Sequence, residues 1–469
     1  METPGPNRCS GCLDRDRRIQ QLQAEVARLR EGNTRLLARI DELVAQAEIA
    51  SRQAKRQAAP FSDNNPKAHP RRPGRKSGVD HGTHGHRPTP EPQAVDETFD
   101  VPVGPCPHCG GEVEETEAVV QYQQEIPRKP IVRKFVIHRG RCARCGRNCR
   151  GRHPLQTSDA IGAAASQLGA DAQAGVVYLN KHAGLSYGKI SDLYQQFFGI
   201  RVTRGAAAQI VLRAGKRLEP AVFEIDDHLK RAEHITPDES GWRVGGRPVW
   251  IHAWVADDGA TRYRIDPQRS ADKLEEAIGI GWSGSMTHDG FSTYGRFVDA
   301  VHQQCLDHAL RRAEGLIETQ EEADRVFPQQ VIDVCMQGLR LRDRWETKEP
   351  TPEQRERAYE RYTNRIEELA AQPQENKANA RFAGHLGRHG GEWFSFLLDR
   401  SIPATNCEAE QALKTPIVNR KVWGGNRTPN GKDAQESTSS VIQTCRRRGI
   451  EILDYISAAL RGIIASLFA

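Results

Sequence analysis

Residues 234–242 read His-Ile-Thr-Pro-Asp-Glu-Ser-Gly-Trp, and an alternating apolar run follows at Val249–Val255. This order predicts a strand that carries Asp238 and then turns back in a hairpin. A carboxylate on such a strand is a natural first ligand for a hard divalent cation, because these ions prefer oxygen ligands. Glu239 should point to the opposite face of the strand. Pro237 lacks a donor for the ladder and therefore predicts a bulge.

The segments that follow alternate between strand and helix patterns. Strands are predicted at 248–256, 261–266 and 285–288, helices at 271–278 and after Asp289, and a fifth strand, or the lead into a helix, at 301–306. Three antiparallel strands followed by helix, strand, helix and strand is the order of an RNase H-like α/β domain. We assign residues 233–430 to this catalytic domain, with a polar, helix-periodic insertion at about 312–395.

Two other acidic residues are candidate ligands in this domain. Asp289 lies in a Thr-His-Asp-Gly sequence, and Glu410 lies in Asn-Cys-Glu-Ala-Glu. With Asp238 they predict a three-carboxylate site for metal-dependent phosphoryl transfer. Glu408 competes with Glu410, but Thr405 and Glu408 have the spacing of a capping box, which would give Glu408 a structural role.

A heptad pattern extends over residues 14–50. The a and d positions are Ile19, Leu22, Val26, Leu29, Asn33, Leu36, Ile40 and Leu43. β-branched residues at a and Leu at d favour a parallel two-stranded coil, in which Asn33 would fix the register. We therefore predict a coiled-coil dimerisation helix and a homodimer. The alternative is a lone amphipathic helix packed on its own chain.

Residues 51–95 predict a basic disordered linker. They are rich in Pro, Gly, His and Arg and contain almost no large apolar side chain, so the segment cannot bury enough surface to fold alone. Its basic cluster is Arg71, Arg72, Arg75 and Lys76. Such an arm is typical of segments that enter a minor groove or follow phosphates; the alternative is a solvated linker.

Two CxxC pairs lie in residues 100–152, separated by strand-like sequence at 119–123 and 131–138. The cysteines are Cys106, Cys109, Cys142 and Cys145. Two such turns joined by a hairpin would bring four thiolates into tetrahedral reach, which predicts a structural zinc ribbon. Cys149 is a spare or substitute ligand.

Residues 155–232 have helical periodicity. One helix is predicted to begin within 185–191 and to end at Gly199, and another to begin within 202–205. The pair resembles a helix-turn-helix that would offer Arg204 and Arg213 to DNA; the alternative is two helices that only pack together. Residues 431–469 predict a C-terminal basic helical segment.

Composition favours a protein of a reducing compartment with a polyanionic partner. The 469-residue chain has a net charge of +6, concentrated in residues 51–90 and 414–448, which suggests a polyanion contacted at two places. Six of the 11 cysteines form CxxC pairs, which favours metal over disulfides. The third pair, Cys9 and Cys12, lacks two ligands. Without an apolar run of membrane length or a signal pattern, we expect a cytoplasmic protein with no membrane contact.

The order of these parts resembles the transposases of the IS66 family of bacterial insertion sequences. The resemblance covers nearly the whole chain: coil, basic arm, CPxC and CxxC pairs, Asp-Glu-Ser, Asp-Gly, Cys-x-x-His, then Asn-x-x-x-Glu and a basic Asn-Arg-Lys segment. Its most specific part is 402–449, from Ile-Pro-Ala-Thr-Asn through Asn419-Arg420-Lys421 to Arg446-Arg447-Arg448-Gly449.

The resemblance implies a DDE transposase, a polynucleotidyl transferase with Asp238, Asp289 and Glu410 as its triad and two Mg²⁺ ions as cofactors. The implied reaction is strand cleavage and strand transfer at the element's ends. The implied partners are DNA, as inverted-repeat ends and target, and accessory proteins encoded by the element, with the chain at the bacterial nucleoid. Lys414, Arg420, Lys421 and Arg427 look like clamps on the DNA backbone beside this site.

Alternatives stay open for the function and for three side chains. The chain could instead be an RNase H-like nuclease on branched nucleic acid, or a domesticated, catalytically inactive DNA-binding protein. Cys305 and His308 lie at i and i+3 on one helix face and would either bind a metal or pack in the core. Trp423 would either stack on a displaced base or belong to the core.

Overall fold

The structure is a computed structural model that describes residues 10–54, 89–102, 104–114, 117, 119–124, 126, 129–160 and 167–469. The chain divides into two compact units, Met1–Pro88 and Thr89–Ala469. Each is described by itself.

The first unit contains one long helix, α1 (Ser10–Ala54). The apolar side chains at its a and d positions are exposed, Leu29 by 68% and Leu36 by 64%. An exposed apolar seam is what a helix has before it pairs with a second coil, and the homodimer stays a prediction. Cys9 and the basic cluster Arg71, Arg72, Arg75 and Lys76 lie outside the described residues, as does the side chain of Cys12.

The two CxxC turns have the same backbone hydrogen bonds. The amide of Cys106 donates to the carbonyl of Gly111 at 2.8 Å, and that of Cys142 donates to Arg147 at the same distance. The second turn joins a short antiparallel hairpin, β1 (Arg139–Arg141) and β2 (Asn148–Arg150). The strands predicted at 119–123 and 131–138 are wrong: those residues form no strand. Their apolar side chains are exposed, so no packing favours an extended pairing there.

Four helices follow, and the start and end of the second and the start of the third lie where the sequence predicts them. They are α2 (Ala170–Lys181), α3 (Tyr187–Phe198), α4 (Arg204–Arg217) and α5 (Glu219–Arg231). Ser186 and Thr203 cap α3 and α4 by accepting amide hydrogen bonds from Lys189 and Ala206. Gly199 ends α3 in the left-handed conformation with a φ of 64°, which glycine adopts at little cost.

A five-stranded sheet forms the centre of the second unit. Its strands are β3 (His234–Val244), β4 (Arg247–Ala256), β5 (Thr261–Asp266), β6 (Ser285–His288) and β7 (Val301–Gln304), in the order β5-β4-β3-β6-β7. β3, β4 and β5 are antiparallel neighbours, and β6 and β7 extend the sheet in parallel from β3. The architecture is therefore mixed α/β, as predicted.

Two local predictions in this sheet are wrong. The register of β3 against β4 passes through Pro237, which pairs with Trp254, without an extra residue. No bulge is needed because the parallel ladder of β3 with β6 contains only His234 and Ile235, so that Pro237 lies beyond it. Helix α6 (Asp272–Ile278) forms as expected, but Asp289 is followed only by a short 3₁₀ turn, Ser292–Arg296.

Opposite faces of the sheet pack on different helices. Ile235 and Trp254 belong to a core that contains residues of α5 and α6. Trp242 and Ala253 pack with residues of α11 (Cys407–Trp423) on the other face. Since successive strand residues alternate between faces, Asp238 shares the α11 face with Trp242.

The outer edge of β5 is covered by α12 (Pro429–Arg447). Its side chains at i, i+4 and i+8, Glu436, Ser440 and Thr444, accept hydrogen bonds from the amides of Ile265, Tyr263 and Thr261 at 2.9, 2.9 and 3.0 Å. This pairing satisfies an edge that would otherwise be open to another strand. Helix α13 (Ile452–Arg461) completes the chain's C-terminal part.

The region predicted as a helical insertion is helical. After β7 come α7 (Leu306–Thr319), α8 (Val326–Trp345), α9 (Pro352–Ala371) and α10 (Lys377–Arg388). They enclose a core of their own, which includes Phe327, Ile366 and Phe382. None of these helices, and none elsewhere among the described residues, is long and apolar enough to span a membrane.

Candidate active site

Asp238 lies in the middle of β3, opposite Ala253 of β4. Burial raises the pKa of its carboxyl well above the usual range. The negative charges of Glu239 and Asp289, and to a smaller extent Glu410, raise it further, whereas the amide of Glu239 donates to Oδ1 at 2.8 Å and lowers it. Asp289 and Glu410 therefore both lie close enough to Asp238 for their charges to act on its carboxyl.

Asp289 directly follows β6, and its carboxylate is held by the turn that it begins. Its Oδ1 accepts a hydrogen bond from the amide of Phe291 at 3.0 Å, and Oδ2 lies 3.8 Å from the guanidinium of Arg269. Gly290 has a φ of 83°, and a Cβ there would lie 2.7 Å from Oε1 of Gln304. Only glycine fits this turn without strain.

Glu410 lies in the first turn of α11, where a carboxylate also interacts favourably with the helix dipole. Nη2 of Arg311 donates to both of its oxygens, at 2.9 and 3.1 Å. Nε2 of His308 lies 3.6 Å from Oε1. The third carboxylate is therefore reached by two side chains of α7.

The capping box predicted from Thr405 and Glu408 is wrong. Helix α11 begins one residue later, with Asn406 at the cap and no side-chain cap. Glu408 is then the second helical residue, and its carboxylate pairs with Arg447 at 3.2 Å. Glu408 therefore still has a structural partner, although not the one predicted.

A polar network next to the triad could not be found from the sequence. Glu239 lies on the other face of β3, as strand alternation predicts, and its carboxylate accepts hydrogen bonds from the hydroxyl of Tyr294 and from Nε of Arg269, both at 2.7 Å. The guanidinium of Arg269 lies over the rings of Phe291 and Trp250. Arg269 thus connects Glu239 to Asp289 through residues that no motif marks.

Cys305 and His308 do not act as a pair. Cys305 precedes α7, is buried, and its Sγ accepts a hydrogen bond from the amide of Asn406 at 3.3 Å. Burial raises the pKa of this thiol to about 11, so it stays protonated. The prediction of core packing therefore fits Cys305. His308 instead lies beside Glu410 of the triad.

The predicted DNA clamps divide into two groups. Lys414, Lys421 and Arg427 are exposed. Arg420 is half-buried and donates to the carbonyl of Gly241, which ties α11 to β3. Trp423 packs edge-on against Trp242, with ring centroids 5.8 Å apart, and also contacts Lys181. These contacts favour a role in the core over stacking on a base.

The triad fits a divalent cation chemically but is not arranged around one. In the described part of the chain, no set of three or more His, Cys, Asp and Glu side chains has the arrangement of a metal site. A cation would relieve the repulsion that raises the pKa of Asp238. Nη2 of Arg311 donates to both oxygens of Glu410, so a cation at Glu410 would compete with Arg311 for this carboxylate.

The fold and the site together define a mixed α/β protein in which the charges of Asp289 and Glu410 reach Asp238 on the central sheet. The family described as Transposase IS66 family matches residues 165–434. The match covers more than half of the chain, and the chain belongs to this family. Membership indicates a DNA-processing protein of DNA transposition that binds DNA. A search of curated proteins gave no match to the chain.

Proposed function

We propose that the chain is a DNA transposase of the DDE type, which cleaves strands at the ends of an insertion sequence and joins them to a target. The observation that supports this proposal is that the charges of Asp289, at the end of β6, and Glu410, at the start of α11, both act on the carboxyl of Asp238 on β3. The sheet order, with three antiparallel strands and two more in parallel, supports an RNase H-like domain. The family match supports DNA as the substrate.

Asp238, Asp289 and Glu410 would hold two Mg²⁺ ions. When bound, such a pair activates the attacking oxygen and stabilises the leaving oxygen of an in-line displacement. Asp238 has to lose its proton to become a ligand, and its raised pKa makes metal binding depend on pH. Arg269 would hold Asp289 in place while Glu410 exchanges its hydrogen bonds with Arg311 for the ion.

The same site could perform both reaction steps. Water as the nucleophile yields a nick with a free 3′-hydroxyl, and that hydroxyl then attacks the target strand. No covalent bond to the protein is needed. Exposed Lys414, Lys421 and Arg427 would contact the backbone phosphates beside the cut, while Arg420 serves mainly to hold α11 on β3.

The experiment uses supercoiled plasmid that carries candidate element ends, incubated with the full chain and Mg²⁺. Asp238→Asn and Glu410→Gln should lose nicking at the ends by at least about 100-fold. Glu408→Gln is the matched control, because it removes a neighbouring carboxylate on the same helix, and it should keep its activity. Full activity of either triad variant overturns the assignment. Cleavage of branched DNA without element ends indicates a nuclease, and binding without cleavage indicates a DNA-binding protein.

We propose that Cys106, Cys109, Cys142 and Cys145 hold a structural Zn²⁺, which would draw together two CxxC turns that do not form a metal site among the described residues. The amides of His108 and Cys109 lower the pKa of Cys106, and those of Cys145 and Arg144 lower the pKa of Cys142, which favours the thiolates that bind zinc. Metal analysis of the purified chain should give one zinc per chain. Cys142→Ser should abolish it, while the control Cys149→Ser should not; equal zinc in both variants contradicts the ribbon.

We also propose that α1 forms a parallel homodimeric coil. Leu29 is a d residue of the seam, and Leu37 is exposed on the same helix at an e position. Leu29→Lys should shift the chain towards monomer in sedimentation velocity, whereas Leu37→Lys should shift it much less. A monomeric wild-type chain at micromolar concentration would contradict the dimer.

A further inference from the structure

An open cleft of about 690 Å³ lies along α4, apart from the triad. Residues 152, 157–159, 167 and 168, which precede α2, also line it. Its lining contains four arginines, Arg152, Arg201, Arg213 and Arg217, and one acidic residue, Asp159. None of the three triad residues lines it.

One face of α4 forms the floor of this arginine cleft. Ala206, Ile210, Arg213 and Arg217 line it, and their spacing places them on one side of a helix. The start of this helix is held against α3, because Ser191 of α3 donates a hydrogen bond to the carbonyl of Val202 just before α4. Gly215 also allows a close approach of α12, since a Cβ there would lie 2.7 Å from Cα of Ala434. The arginines therefore stand on a fixed scaffold.

The positive charge of the arginine cleft is largely uncompensated. Arg201, Arg213 and Arg217 are exposed, and among the described residues none of the three has an ion pair or a side-chain hydrogen bond. Arg152 shares Asp159 with Arg150, at 3.8 and 2.8 Å. Like charges gathered in one concave surface attract a polyanion.

The spread of these charges decides between a small anion and a polymer. Arg213 is the tenth residue of α4, roughly 14 Å along the axis from the first at a rise of 1.5 Å per residue, and Arg201 precedes the helix. The backbone positions of Arg201, Arg213 and Arg217 extend over the whole length of α4, which favours a polymer over a single phosphate. Duplex DNA carries a phosphate about every 3.4 Å of axis on each strand, so a stretch of backbone can contact all of them.

We propose that the arginine cleft binds the sugar-phosphate backbone of duplex DNA and thereby holds the element's end on α4. This inference rests on the proposed function, because the family match is what favours DNA over RNA as the polyanion. The clamp predicted beside the triad lies on α11 and just after it, so the cleft is a second DNA contact.

The experiment measures binding of a labelled DNA duplex to the full chain by fluorescence anisotropy, at several NaCl concentrations and without Mg²⁺, so that no cleavage occurs. Each phosphate contact contributes about 0.9 to the slope of log K against log salt. Arg213→Ala with Arg217→Ala should therefore lower the slope by about 1.8 and weaken binding at least about 10-fold at 100 mM salt. Arg213→Lys with Arg217→Lys should retain most of the slope, because the charge is kept.

The matched control is Arg340→Ala with Arg344→Ala. These two arginines have the same i, i+4 spacing and are exposed on α8, so the variant removes the same charge from another helix. An unchanged slope in the cleft variant, or an equal loss in the control, overturns the proposal, as does tighter, cleft-dependent binding of duplex RNA of the same sequence. If the wild-type chain binds no DNA, the proposed function fails; if it binds and the cleft variant binds equally well, only the cleft proposal fails.

Discussion

Lys181, the last residue of α2, is buried, and it has no carboxylate partner among the residues that the structure describes. It is only 4% exposed. Its Nζ donates to Oε1 of Gln435 at 2.6 Å and lies 5.1 Å from the centre of the Trp423 ring. Burial lowers the pKa of this amine from 10.5 to about 7. Lys181 therefore loses its proton above about pH 7 in the folded chain but keeps it up to about pH 10.5 in the unfolded chain.

The sign and size of the effect follow from this pKa. Because the unfolded state binds more protons between pH 7 and 10.5, the free energy of unfolding rises with pH in that window, by about 1.4 kcal/mol per pH unit. The destabilisation of the fold by the buried Lys181 amine is therefore fully present below about pH 7 and absent above about pH 10.5. At pH 7 it amounts to about 4 kcal/mol, and at pH 9 to about 2 kcal/mol.

Lys181→Met should therefore stabilise the chain at neutral pH. Removal of the amine leaves Oε1 of Gln435 without its donor, which costs about 1–3 kcal/mol. The net gain should be about 1–3 kcal/mol at pH 7 and close to zero at pH 9. The free energy of unfolding is measured by urea denaturation at both pH values.

Lys189→Met is the control for this comparison. Lys189 is exposed on α3, so its loss should change the free energy of unfolding by less than about 0.5 kcal/mol at either pH. Other groups titrate equally in both variants and cancel when these are compared. A stability difference between Lys181→Met and the wild type that is the same at pH 7 and pH 9 would refute the reasoning.

Three further substitutions test the site and its support. Arg311→Met should lower the Mg²⁺ concentration needed for half-maximal nicking by up to about five-fold, because a half-exposed ion pair to Glu410 is worth about 0–1 kcal/mol; a higher Mg²⁺ requirement would contradict competition between Arg311 and the metal. Gly290→Ala should destabilise the chain by about 1–3 kcal/mol, because the backbone φ is 83° and a Cβ there would lie 2.7 Å from Gln304. It should also abolish nicking. Thermal unfolding measures the loss of stability, and the plasmid assay measures the loss of nicking. Gly215→Ala should lower the free energy of unfolding by about 1–3 kcal/mol, because a Cβ there meets α12. Gly205→Ala is the control on the same helix: its Cβ meets no described atom within 4 Å, and it should stabilise the chain by about 0.5–1 kcal/mol. Equal changes of the two variants in urea denaturation would contradict the close approach of α4 to α12.

Local rules were sufficient for much of the fold. The change from a helical to a strand pattern predicted β5 and β6 to the residue. The caps of α3 and α4 were predictable because Ser186 and Thr203 bond to amides only three residues away. Glu239 was placed on the correct face by alternation alone.

The wrong predictions depend on contacts that are distant in sequence. Thr405 has the chemistry of a cap, but the amide of Asn406 is bonded to Cys305 from 101 residues earlier, and α11 begins after it. The bulge expected at Pro237 depends on how far β6 continues alongside β3. The surroundings of the triad are hidden for the same reason, since 99 positions separate Arg311 from Glu410.

The helical insertion reaches the site through α7. The hydrogen bond from the amide of Asn406 to Sγ of Cys305 holds the start of α7 next to the start of α11. His308 and Arg311 lie in the first two turns of α7, and both face Glu410 in the first turn of α11. The rest of α7 packs into the core of the insertion. A rotation of that core would therefore move Arg311 relative to Glu410, so the insertion can influence the third carboxylate without placing α8, α9 or α10 beside it.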